Sequence, residues 1–199
     1  MTPAPDTQRL HHSGEVGIEI APLLDAGSAD AALADRIDAL LRRACKLARA
    51  LTGAEQSALK LWVGEDPTKA RKYFSLGEKY SAFREFRVDP QGLGLHGMPI
   101  PPGEVVRLTQ DEVLRHPLFR NFSGLSANHP PMRGWLATSI CGAGGNTYGL
   151  LQLSDKSAGG DFDASDEENV RELAALVGET LDALRGGMRQ AGSSGALRL

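Results

Sequence analysis

Residues 134 to 155 read GWLATSICGAGGNTYGLLQLSD, and this stretch decides the fold. GWLATSI (134–140) and TYGLLQLSD (147–155) flank CGAGGN, whose glycines permit the positive φ angles that a hairpin turn requires. The pattern predicts two antiparallel strands joined by a tight turn. A hairpin alone is marginal in water, so the rest of the chain has to supply a sheet and a cover for it.

Downstream, after another glycine-rich turn, comes Ser165-Asp166-Glu167-Glu168. This reads as a capping box, with Ser165 accepting from the Glu168 backbone N–H and the Glu168 carboxylate reaching back. Asp166 and Glu167 add negative charge at the positive end of the helix dipole. Val170, Leu173, Val177, Thr180, Leu181 and Leu184 then mark a buried stripe, and GGMRQAGSSGALRL reads as a flexible tail.

Upstream, Leu33, Ile37, Leu40, Leu41, Ala44, Leu47, Ala48 and Leu51 recur at helical steps between Asp30 and Leu51, and Gly53 stops the helix. SALKLWV (57–63) alternates as a strand, with Leu59, Leu61 and Val63 on one face. Tyr73 to Leu76 suggests a second strand, with GEDPT as turn chemistry between the two. QGLGLHGMPIPPG (91–103) carries four glycines and three prolines and reads as a loop with one helical turn at most. EVVRL (104–108) follows as a short strand, then TQDEVLRH (109–116) as a short helix capped by Thr109. The expected fold is α+β: an antiparallel sheet with the first and last helices on one face and loops and short helices on the other. Residues 1–28 are expected to form a flexible extension, 29–185 one domain, and 186–199 a flexible tail.

Bulk composition narrows the function classes. The chain has 199 residues, 41% hydrophobic and 24% charged, which is ordinary for a globular protein. A net charge of -3 offers no broad attraction to nucleic acid or anionic membrane. The N-terminus lacks a signal-peptide pattern, and no apolar run could span a bilayer. Cys45 and Cys141 form no CxxC or metal cluster and read as buried reduced thiols. A cytoplasmic protein without nucleic-acid or membrane partners is expected.

SANHPPMRGWLA (126–137) leads into the hairpin. Pro130 and Pro131 restrict the backbone and deliver Met132 towards the sheet. The plain reading is a rigid loop closing the sheet face, with Met132 as filler and Arg133 solvated or paired. His96, His116 and His129 match no metal spacing. GLGLHG lacks the strand-before, helix-after frame of a phosphate loop, and no GxSxG elbow frames Ser139. No nucleophile–base arrangement stands out, so no catalysis is expected. Arg42, Arg43, Lys46 and Arg49 give the first helix a basic face, and Glu168, Glu172, Glu179 and Asp182 make the last acidic. These read as solvated faces that could also pair across a dimer seam.

From about Asp30 to Leu184 the chain resembles a GAF domain, the small-molecule-sensing module of phosphodiesterases, phytochromes and bacterial sensor or hybrid histidine kinases. The most specific residues are HPPMRGWLA, YGLLQLSDK, Phe162 and Asp166-Glu167. The family's Asn-Lys…Phe…Asp-Glu pattern reads here as Asp155-Lys156, Phe162, Asp166-Glu167, with Asp replacing Asn. These five look structural: Lys156 can pair with Asp166, and Phe162 can plug the core. The resemblance implies a stand-alone sensory module, a ligand between the sheet and the 92–133 loops, and output through the terminal helices, as a homodimer or to a sensor kinase. The ligand-contacting candidates are His96, Phe119, His129, Met132, Arg133, Trp135 and Gln152. Two alternatives remain: a haem-based gas or redox sensor with His129 as proximal iron ligand, and a ligand-free dimerisation domain. The tyrosine that such haem sensors place on the facing strand is Gln152 here.

Overall fold

A computed structural model describes residues 28–63, 66–83, 94–119, 132–157 and 159–195. The elements run α1 (Ser28–Thr52), β1 (Ala54–Val63), β2 (Asp66–Leu76), a 3-10 turn (Glu78–Phe83), a second (Gly94–Gly97), β3 (Val105–Leu108), α2 (Gln110–Arg115), β4 (Trp135–Cys141), β5 (Thr147–Lys156) and α3 (Ala164–Gly195). The strands form one antiparallel sheet in the order β2-β1-β5-β4-β3. The β4–β5 hairpin thus lies at the sheet's centre, pairing with β1 on one side and β3 on the other.

Both long helices pack on one sheet face, as the apolar spacing predicts. From α1, Ile37, Leu41, Cys45 and Ala48 are fully buried, and from α3, Val170, Val177 and Leu181 join them. They meet Leu59 and Leu61 of β1, Tyr73 of β2, Leu136 and Ile140 of β4, and Leu151 and Leu153 of β5. Each large aliphatic side chain buried there is worth about 1.5–3 kcal/mol, so this layer carries most of the stability. Alternation along each strand sends the intervening residues to the opposite, distal face. There Leu95, Ile100, Val113, Trp135, Ala137 and Leu150 form a smaller second cluster.

Close approach of α3 to the hairpin depends on Gly178. A β-carbon built there would lie 2.0 Å from the Cys141 carbonyl oxygen. Gly178→Ala is therefore expected to destabilise by about 1–3 kcal/mol through overpacking against backbone. Alanine's helix preference alone would stabilise by about 1 kcal/mol, so the sign of the change in urea unfolding decides.

Several boundaries differ from those expected. β1 begins three residues earlier, and β2 extends back to Asp66, so Asp66-Pro67-Thr68 belongs to a strand rather than to the turn. The α3 capping box lies two residues upstream of Ser165. Asp163 Oδ1 accepts from the N–H groups of Ser165 (2.9 Å) and Asp166 (3.1 Å), and Asp166 Oδ2 accepts from the Asp163 N–H (2.9 Å). A carboxylate caps as well as a hydroxyl, and Asp163 occurs first in the chain. The Thr109 cap holds, completed by Glu112. α3, expected to end near Leu184, continues to Gly195. A helix absorbs glycines such as Gly186 and Gly187 at about 1 kcal/mol each, and Met188, Arg189 and Gln190 then favour its continuation. No described helix is long and apolar enough to cross a membrane.

Candidate functional site

The Asp155–Lys156 corner is a buttress. Asp155 is 2% exposed and is the one described non-glycine residue with a positive φ, 61°. Its carboxylate accepts from the Tyr80 hydroxyl and pairs with Lys79 at 2.8 Å, while its N–H donates to the Arg133 carbonyl. Lys156 pairs with Asp166 at 2.6 Å and Asp163 at 3.1 Å, contacts that raise its pKa above the ordinary lysine value, the Asp166 bond most. Phe162 is buried in the helix-side core, and its carbonyl accepts from Arg107 at 3.0 Å. Arg107 also pairs with Glu167, tying β3 to α3. Lys156, Phe162, Asp166 and Glu167 thus tie the last helix to the sheet, while Asp155 ties the end of β5 to the Glu78–Phe83 turn and to Arg133.

Chemistry with nothing to hold lies on the distal face. Strand register places Gln152 of β5 between Ala58 of β1 and Ala137 of β4. Its diagonal neighbours on that face are Gln56 and Lys60 on β1 and Trp135 and Ser139 on β4. Such neighbours stand about 7–8 Å apart, within reach of one bound molecule. Among the described residues, four buried polar atoms here have no hydrogen-bond partner: Gln56 Nε2, Lys60 Nζ, Trp135 Nε1 and Gln152 Oε1. Leaving one such group unsatisfied costs about 1–3 kcal/mol, more if charged. One on Gln152 and three on its diagonal neighbours make a costly arrangement unless something else completes it. Ser139, by contrast, donates to the Pro101 carbonyl at 3.0 Å.

Of the candidates named from sequence, Trp135 and Gln152 lie at the centre of this patch. Met132 and Phe119 are half-buried and pack against the neighbouring apolar cluster. Arg133 is exposed, contributing its backbone carbonyl to Asp155. His96 belongs to the 3-10 turn Gly94–Gly97, and its side chain lies outside the described residues, as does all of His129. The haem reading therefore has no described iron ligand to be argued from. His116 Nδ1 accepts from the Leu118 N–H at 3.2 Å, and no metal-binding group of three His, Cys, Asp or Glu occurs among the described residues.

Gln56 and Lys60 were missed as candidates from sequence. The alternation of EQSALKLW (55–62) puts both opposite the leucine face, where they read as ordinary solvent-facing residues. Only the burial of Lys60 and of the Gln56 amide nitrogen reveals them.

On the helix side, a shallow depression of about 220 Å³ is lined by Asn146, Tyr148, Asp182, Arg185 and Gly186. Tyr148 donates to Asp182 and accepts from Arg185 at 3.1 Å, so its polar groups satisfy one another.

A family model for the GAF domain matches residues 36–181. The chain belongs to the GAF domain family. Solved structures with the same fold include the blue-light-absorbing form of the PixJ GAF domain from Thermosynechococcus elongatus (13% identity, 86% of this chain and 100% of that one, TM-score 0.64). A domain of a putative two-component sensor histidine kinase from Sinorhizobium meliloti matches at 11% identity, over 78% and 96% of the two chains, TM-score 0.53. A type II free methionine-R-sulfoxide reductase from Thermoplasma acidophilum matches at 17% identity, over 77% and 94%, TM-score 0.53. At these identities the likeness establishes the shared fold, and the function of this GAF domain has to be argued from its own site.

Proposed function

We propose that this GAF domain is a non-catalytic sensor that binds a small molecule on the distal sheet face and passes the change to a partner through α1 and α3. The four unsatisfied polar atoms of Gln152 and its neighbours carry this reading. Gln56 and Trp135 offer donors and Gln152 an acceptor, a set that suits a polar planar molecule. Leu150 and Ala137 between them supply apolar floor. Binding there bears on β1 and β5, whose opposite sides hold Leu59, Leu61, Leu151 and Leu153 against the two helices. A ligand acts on the output only as far as it prefers one helix arrangement over another.

The thiols support a non-catalytic role. Burial pushes Cys45 from 9.0 up to about 12, so it stays protonated, and Cys141 is within 3.5 Å of the Thr147 hydroxyl. Leu47, Leu51 and Leu176 are exposed on α1 and α3, beside the basic and acidic stretches of those helices. They favour a second copy of this chain as the first partner.

Mass spectrometry of the natively purified full chain, under non-denaturing and then denaturing conditions, tests the proposal. A bound molecule lost on denaturation is the expected result. Identical masses, together with no thermal shift against a broad metabolite panel, would remove the ligand from the account.

A further inference from the structure

We infer that the ligand carries a carboxylate or phosphate group, held by Lys60 with Lys72 beside it and the Trp62 indole as a wall. The inference rests on the sensing reading above and adds the chemical class of what is sensed.

Lys60 is 7% exposed, and its ammonium finds no acceptor. Its one described company is the Trp62 ring, 4.2 Å from Nζ to the centroid. A cation–π contact returns about 0.5–2 kcal/mol, well short of the several kcal/mol that removing an ammonium from water costs. Lys72 makes matters worse: it stands directly opposite in the β1–β2 pair and on the same face. Like charges facing across a strand pair repel. Burial first, and then Lys72, draw Lys60 from 10.5 down to about 8.

An acidic residue on this face would resolve the conflict, but among the described side chains of the sheet's distal face there is none. The distal positions of the sheet with described side chains are Gln56, Ala58, Lys60 and Trp62 on β1, and Ala70, Lys72, Phe74 and Leu76 on β2. Leu150, Gln152 and Ser154 follow on β5, with Trp135, Ala137 and Ser139 on β4 and Val106 and Leu108 on β3. Neither lysine joins an ion pair among the described residues. An anion between Lys60 and Lys72 would satisfy the buried ammonium and cancel the repulsion. From Lys60, the diagonal step to Gln152 and on to Gln56 gives the rest of the ligand its hydrogen bonds. The site is thus read as charged at the β2 end and neutral polar towards β4.

Both tryptophans of the chain, Trp62 and Trp135, lie on this face, so intrinsic fluorescence reports its occupancy. The full chain, stripped of any bound molecule in a zwitterionic buffer, is titrated with inorganic phosphate, acetate, nucleoside monophosphates and small dicarboxylates. A saturable fluorescence change with the phosphate or the carboxylate arm is expected, and the responding arm names the source. Lys60→Met should weaken it at least tenfold. Lys72→Met, at an exposed position that leaves the core intact, should weaken it severalfold. Lys60→Met should also melt no lower than the wild type, since it removes an unpaired charge. A response to neither class of anion, or one that survives Lys60→Met unchanged, overturns the inference. If instead a co-purified molecule carries no anionic group, the inference fails while the sensing reading stands.

Discussion

Asp155→Ala is expected to lower folding stability by about 3 kcal/mol, while Asp155→Asn costs about 1 kcal/mol or less. The backbone at position 155 has φ 61°, a left-handed conformation that costs most side chains about 1–2 kcal/mol and that Asp and Asn tolerate. Alanine adds to that the loss of the carboxylate that accepts from Tyr80 and pairs with Lys79. Hydrogen bonds to charged groups contribute about 1.5–3 kcal/mol each when buried. Asparagine keeps both the backbone tolerance and an acceptor for Tyr80, losing only the half-exposed Lys79 pair, worth about 0–1 kcal/mol. Urea unfolding of the three proteins checks this. If asparagine proves as costly as alanine, the charge matters more than the backbone; if both are tolerated, the corner is not a buttress.

The second large effect is on the pH dependence of stability, through Lys60. In the folded chain it releases its proton near pH 8, in the unfolded chain near 10.5. Between those values the unfolded state binds more protons, so Lys60 makes stability rise with pH. The full stabilisation is present above 10.5 and is lost as pH falls through 8. A shift of this size corresponds to at most about 3 kcal/mol, reduced by whatever screening water gives the ammonium. Cys45 and Tyr73 act in the opposite sense, because burial raises both and the folded state keeps protons that the unfolded state sheds. The wild-type curve alone therefore mixes signs. The difference between wild type and Lys60→Met isolates the lysine: the variant should be the more stable below pH 8, with the gap closing towards 10.5. A pH-independent gap would mean that Lys60 is not a buried unpaired cation.

The helix-side layer was legible in the sequence because it obeys simple periods. Ile37, Leu41, Ala44 and Ala48 step at helical spacing, and Leu59–Leu61 and Leu151–Leu153 alternate, so their burial follows from pattern alone. Strand ends were not, since Asp66 carries turn chemistry yet pairs with Val63 beyond a break in the β1–β2 register that skips Pro67, so β2 runs further back than local preference suggests. The cap of α3 was misplaced because Asp163 and Ser165 are equivalent caps on paper, and only Lys156, bonded to both Asp163 and Asp166, favours the first. For the candidate site the sequence pointed to Trp135 and Gln152 but passed over Gln56 and Lys60. Alternation tells which face a residue is on; it does not tell what covers that face. A lysine opposite a leucine row reads as solvated until its burial is seen.

One comparison tests the central claim most directly, that the polar atoms around Gln152 are kept for a ligand and not for the fold. Gln56→Leu, Gln152→Leu and the double variant are compared with wild type by urea unfolding after any bound molecule has been stripped. If the amides serve a ligand, the leucine variants unfold at equal or higher urea and no longer retain a small molecule on native purification. A double variant that loses about 2 kcal/mol or more, as removal of satisfied buried amides would, contradicts the account.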